Sequence, residues 1–147
     1  MSISDVLHGK GRDVVKVRAT DSVETAVRLM SEHRIGAVFV EDQWMRHVGM
    51  FAEQNLVNAI AAHGARALSL PIETLMNGRV VTCGPHDRVE TVMAAMTMAK
   101  IRHLPVIEGG QLVGIVSIGD LVKHRLDEKA LEPMCCSILR GCTPERL

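Results

Sequence analysis

Aromatic residues are nearly missing from this sequence. They make up 2% of it, with no tyrosine, two phenylalanines and the single Trp44. A surface that stacks single-stranded bases needs such rings, so nucleic acid of that kind is not expected as a partner. Net charge is missing too: 17 Lys and Arg balance 17 Asp and Glu. That balance removes the electrostatic ground for binding duplex nucleic acid or an anionic membrane. No apolar run approaches the roughly 20 residues of a membrane-spanning helix. Met1-Ser2-Ile3-Ser4-Asp5 carries neither a basic flank nor an apolar signal core, so the expected location is the cytoplasm.

The chemistry of catalysis is equally hard to find. Histidines stand at 8, 33, 47, 63, 86, 103 and 124, with no H-x-x-x-H pair. There is no G-x-S-x-G and no Walker-type glycine loop. Gly9-Lys10-Gly11 and Gly109-Gly110 read as turns, and Glu41-Asp42 and Asp127-Glu128 as solvated charge at element ends. No nucleophile, base and orienting group converge, so no catalytic residue is assigned and the chain is not expected to be an enzyme. Four cysteines remain. Cys83 ends an apolar run and reads as a small core filler. Cys135, Cys136 and Cys142 lie in a tail without a C-x-x-C spacing, and adjacent cysteines are poor ligands for one ion, so no metal is expected. A thiol-based switch in that tail stays open as a minor alternative.

What the chain does contain is a repeat inside an ample hydrophobic complement of 47%. Asp21-Ser22-Val23-Glu24-Thr25 returns as Asp87-Arg88-Val89-Glu90-Thr91, 66 positions later. Met30, Ile35 and Val40 recur as Met96, Ile101 and Val106 at the same shift, and Gly49 recurs as Gly114 at 65. Register kept over thirty residues with one small gap marks two copies of one unit. In each copy a short β-branched strand, Val14-Val15-Lys16-Val17 or Val80-Val81-Thr82-Cys83, comes first. Asp21 and Asp87 are the expected N-caps of the next helices, with Glu24 and Glu90 completing capping boxes. Two strands follow, residues 37–41 with 48–52 and 103–107 with 112–117. The second pair is joined by the hairpin turn Glu108-Gly109-Gly110-Gln111. A second helix closes each copy, from Glu53 to His63 and from Ile118 to about Lys129. Pro71 is expected to open a short helix over 72–76, and Ile3-Ser4-Asp5-Val6-Leu7 is its counterpart in front of copy one.

The fold class expected is therefore α/β (α+β): two β-α-β-β-α units whose sheets, too small to be covered alone, pack on each other. The divisions are 1–66 for repeat 1, 67–130 for repeat 2 and 131–147 for the tail. Within repeat 2, Gly114-Ile115-Val116-Ser117-Ile118-Gly119-Asp120 runs from strand into helix. It places a hydroxyl and a carboxylate beside the free N–H groups of a helix start. A capping motif alone accounts for S-x-x-D. The preceding Ile101-Arg102-His103-Leu104-Pro105-Val106-Ile107, with the repeat, gives it a second meaning.

Together these motifs resemble the CBS domain (named after cystathionine β-synthase) in two tandem copies, a Bateman module, from about Asp13 to about Lys129. The resemblance implies a sensor of an adenine-containing effector: AMP, ADP, ATP, NAD(H) or S-adenosylmethionine. In such modules the G-x-x-S/T-x-x-D element meets ribose and phosphate. Carried over, Asp120 takes the ribose hydroxyls, and Gly114, Ser117 and the helix start take the phosphate side. Val81 and Thr82 line the adenine slot, while Arg102 and His103 stand where basic residues approach phosphates. For these last two, solvation and packing are equally good explanations. In copy one the hydroxyl is Ala52, the acid is Asn55, and Gly36 and Ala37 replace Arg102 and His103. That site is expected to be degenerate or empty, with Asn55 able to hold one hydroxyl. The resemblance also implies a homodimer through the helices, here Met93 to Ala99, and an unknown regulated protein as partner. A constitutive scaffold with both pockets empty is the rival reading.

Overall fold

The computed structural model describes residues 2–11, 13–76, 78 and 80–128 of the chain. Cys135, Cys136 and Cys142 lie outside them, and with them the tail reading. Helix α1 (Ile3–Lys10) leads into strand β1 (Lys16–Arg18), helix α2 (Val23–His33), strands β2 (Ala37–Glu41) and β3 (His47–Ala52), and helix α3 (Glu53–His63). Two 3-10 turns, Gly64–Ser69 and Ile72–Thr74, connect to helix α4 (Val89–Ala99), strands β4 (His103–Glu108) and β5 (Gln111–Ser117), and helix α5 (Ile118–Glu128). The repeat seen in the sequence is thus a repeat of structure. In copy one β1 runs parallel to β2, which is antiparallel to β3. In copy two β4 and β5 form the hairpin around Gly109 and Gly110, both at positive φ as a type I′ turn demands.

Copy two lacks the full first strand expected over residues 80–83; only Cys83 pairs, as a single parallel bridge to Val106. The cause is one proline. In copy one the Phe39 N–H donates to the Val15 carbonyl across the ladder. The residue 66 positions after Phe39 is Pro105, which has no N–H to give to Val81. Cys83 keeps its own bonds, donating to the Pro105 carbonyl at 3.0 Å and accepting from Ile107 N–H at 2.8 Å. Its thiol is buried as expected, and burial with the nearby Asp87 charge pushes its pKa up to about 11.

The helix starts also differ by one residue from expectation. Ser22 and Arg88 are the N-caps of α2 and α4, and the Ser22 hydroxyl accepts from Thr25 N–H. Asp21 and Asp87 instead accept from Arg18 and Gly84 N–H, each at 2.8 Å, closing the turn before the helix as aspartates readily do. Glu24 and Glu90 do not complete capping boxes. Glu24 lies 3.6 Å from Arg28, and Glu90 is held at 2.5 Å by Arg125 of α5.

The two sheets meet through Ala37, Phe39 and Met50 of copy one, packed against Val80, Leu112 and Ile115 of copy two. The leading helices are exchanged. Ile3, Val6 and Leu7 of α1 are buried with Val89, Met96, Leu104, Val116 and Leu121, all from copy two. Ile72, in the leading segment of copy two, is buried among Val17, Val23, Val38 and Phe51 of copy one. The helix expected over 72–76 is reduced to the 3-10 turn at Ile72–Thr74. Matching backbone bonds anchor the crossing: Ile3 N–H to Asp87 O and Ile72 N–H to Asp21 O, both 2.9 Å. Leu7 sits directly over Gly114, whose missing Cβ would lie 2.8 Å from its Cδ2.

If α1 belongs to the core of copy two, Leu7→Ala should cost about 2–5 kcal/mol in urea unfolding, as cavity-forming core truncations do. Met98→Ala, on an 86% exposed side chain, should stay within about 0.5 kcal/mol.

Candidate functional site

Two helix starts, α3 and α5, occupy equivalent places in the repeats, and the chain treats them differently. At α5 a reciprocal capping box is complete. Ser117 N–H donates to Asp120 Oδ2 at 2.8 Å, and Asp120 N–H donates to Ser117 Oγ at 3.1 Å. Into it reaches Lys10, from the last turn of α1. Its ammonium donates to Asp120 Oδ2 at 2.6 Å and to the Ile115 carbonyl at 2.7 Å. Burial by itself would raise the Asp120 carboxyl; the hydrogen bonds from Lys10 and Ser117 outweigh it and hold the group below the ordinary carboxylate range. The carboxylate is therefore ionised and already paired.

At α3 only half of that box exists. Ala52 N–H donates to Asn55 Oδ1 at 2.8 Å. Ala52 has no side-chain oxygen to return the bond, so the first-turn N–H groups have no side-chain cap. This helix start opens on a cleft of about 480 Å³, within the size range of small-ligand sites. Met50, Ala52, Glu53, Gln54, Asn55, Val57 and Asn58 of copy one line one side, and Val80, Val81, Ala99, Lys100, Ile101, Arg102 and His103 of copy two line the other. Lys100 is fixed there as the left-handed C-cap of α4, its N–H bonded to Met96 and Thr97 carbonyls.

His103 is the shared wall. It pairs across the sheet with Ser117 and lines the open cleft. Its ring packs so closely on Gly36 that a Cβ there would lie 2.8 Å from Cε1, with Glu53 Oε1 at 2.5 Å. Gly36 stands where copy two has Arg102, and the space next to its Cα is taken by the His103 ring and the Glu53 carboxylate. Burial lowers the His103 pKa first of all; Glu53 and Asp120 oppose this, and Lys10 and Arg102 add to it.

The residues expected to act together are therefore divided. Val81, Arg102, His103 and Asn55 gather at the open cleft, while Ser117 and Asp120 lie at the helix start held by Lys10. Thr82 is exposed and is not part of the cleft lining. Gly114 backs onto Leu7, which gives it a packing role. Lys10 and Lys100 were not singled out from the sequence. Lys10 is 110 residues from its partner, beyond any local pattern, whereas Lys100 adjoins the Ile101-Arg102-His103 segment and was within reach. Among the described residues no cluster of His, Cys, Asp or Glu is disposed to hold a metal, and no helix is long and apolar enough to cross a membrane.

Comparison with known proteins agrees with this architecture. The family model for the CBS domain matches residues 3–62 and again 72–127. The chain belongs to the CBS-domain family, as a tandem pair. It is 41% identical to the CBS-domain containing protein ATU1752 from Agrobacterium tumefaciens, with a TM-score of 0.82 over 84% of this chain and 92% of that one. It is 32% identical over 137 residues to the mitochondrial CBS domain-containing protein CBSX3 of Arabidopsis thaliana, covering 86% of this chain and 66% of that protein. It also shares its fold, at 21% identity and a TM-score of 0.76 over 87% of this chain and 98% of the other, with the CBS domain pair of protein MJ0100. That pair was solved in complex with 5′-methylthioadenosine and S-adenosyl-L-methionine.

A histidine held below its ordinary pKa binds fewer protons in the folded state than in the unfolded one. Folding stability should therefore be full above about pH 6.5, fall as the pH drops from there towards the lowered His103 pKa by at most about 1.4 kcal/mol per pH unit for one proton, and level off below it. Urea unfolding at pH 7.5 and 5.5 should show this loss, and His103→Gln should diminish it.

Proposed function

We propose that the chain is a non-catalytic regulatory module that binds an adenine nucleotide in the open cleft between its repeats. The carrying observation is the cleft itself. Apolar Val80, Val81, Met50, Ala99 and Ile101 form walls for a flat base, and Lys100 and Arg102 supply two cations for phosphate. Val81, released from the ladder by Pro105, keeps a carbonyl with which to accept from an adenine amino group. The adenosyl ligands in the MJ0100 pair support the same ligand class for this chain. AMP, ADP, ATP, NAD(H) and S-adenosylmethionine all carry the base and ribose in question. Binding would favour one packing of the repeats over another and so report to a regulated protein. The setting we propose is the cytoplasm.

At Ser117 and Asp120 a specific observation favours the rival, structural reading: Lys10 already holds the carboxylate. Gly114, Ser117 and Asp120 then serve as packing site, cap and anchor for α1, and Thr82 stands at the edge. Calorimetric titration with AMP, ATP, NADH and S-adenosylmethionine separates the readings. Binding at one site per chain, weakened at least about tenfold in Arg102→Ala, supports the open cleft. Asp120→Ala should leave that binding in place and instead lose about 0.5–2 kcal/mol of stability as a cap does. An absence of binding by every ligand would put the constitutive scaffold first.

We further propose a homodimer through the helices. Val89, Val92 and Met96 turn the core face of α4 inward, while Met98 stays 86% exposed and Val57, Ile60 and Val122 expose further apolar surface on α3 and α5. Met98→Glu should shift sedimentation from dimer to monomer at micromolar concentration if α4 lies in that interface.

A further inference from the structure

The difference between the two helix starts bears on which nucleotide the open cleft takes, and this step rests on the adenine-nucleotide reading above. Asn55 stands where copy two has Asp120. Its Oδ1 already accepts from the Ala52 N–H, which fixes the oxygen towards the backbone because only the oxygen of the amide accepts. The side of Asn55 left to the cleft is its NH₂ group, which donates. At α5 the corresponding group is a carboxylate, an acceptor whose charge is offset by Lys10. At position 55 the cleft thus offers two donor protons where copy two has a carboxylate. Ala52, lacking a hydroxyl, leaves the first turn of α3 without a side-chain cap beside them, although the Glu53 N–H is taken by the Gly36 carbonyl at 3.1 Å. Lys100 and Arg102 line the same cavity. Its one carboxylate, Glu53, lies beside His103 and the Gly36 backbone.

Such an arrangement suits a ribose that itself bears an anion. A 2′- or 3′-hydroxyl gains little from Asn55 over water, whereas a phosphate there gains charge-assisted bonds and meets no carboxylate at position 55, with Glu53 turned to His103 and Gly36. We infer that the open cleft selects adenosine nucleotides carrying a second phosphate on the ribose, with Asn55 as the residue that determines this choice.

The test is calorimetric titration of the full chain with 5′-AMP, adenosine 2′,5′-bisphosphate and adenosine 3′,5′-bisphosphate, repeated on Asn55→Asp. Aspartate is isosteric and keeps the bond to Ala52 N–H, so thermal unfolding in the absence of ligand should be little changed. The expected result is that one bisphosphate binds the wild type at least about tenfold more tightly than 5′-AMP, and that Asn55→Asp abolishes or reverses the ratio. The 2′ and 3′ arms tell the two sources of such a group apart. Equal affinity for 5′-AMP and both bisphosphates, or a ratio untouched by Asn55→Asp, overturns the inference and leaves the adenine-nucleotide reading standing. If none of the three binds while another adenosyl compound does, the inference is again overturned alone. If no adenosyl compound binds, both fall.

Discussion

Neither repeat can cover its own sheet, and everything else in the molecule follows from that. Two or three short strands with two helices leave one face of each sheet bare, and the stable arrangement is to press the bare faces together. Ala37, Phe39 and Met50 against Leu112 and Ile115 are that contact. It forces each copy's helix start to face elements of the other copy, which is why the cleft is built from both. It also sets His103 of one copy against Gly36 of the other, leaving no space for a side chain there as the residues now stand. Asymmetry between the two sites is thus a packing consequence of near-symmetry in the chain.

Most of the fold was legible in the sequence because it is local. The 66-residue shift, the hairpin glycines and the helical apolar spacing all act within a few turns of chain, and each marks its own element. Pro105 shows a signal that was present but needed register to interpret. Only when it is set opposite Val81, as Phe39 is opposite Val15, does its missing N–H cost copy two a strand. The aspartates at 21 and 87 misled by one position because turn-closing and helix-capping use the same side chain and the same acceptor chemistry.

The site was legible in its residue types but not in its grouping. Reading copy two as self-contained joins Ser117 and Asp120 to Val81, yet sheet-on-sheet packing exchanges the walls between copies. Asp120 gave no sign in the sequence of the Lys10 that holds it. Asn55 lines the open cleft, with its oxygen accepting from the Ala52 backbone N–H. A substitution that looks like loss in a motif is a change of polarity in the structure.

The exchange of leading helices also sets an order of events for a growing chain. Segment α1 is made before the other elements of the pair, but its partners Val89 to Leu121 follow it by some eighty to more than a hundred residues. Ile72 meets its partners, already synthesised, almost as soon as it emerges. Copy one can therefore close while copy two still awaits its own strands, and α1 remains an apolar segment without a binding face until nearly the whole pair has been made. Contacts of such sequence separation form late and tie the two repeats into one cooperative unit. The helix that leads the pair is in this sense the last piece of it to be placed.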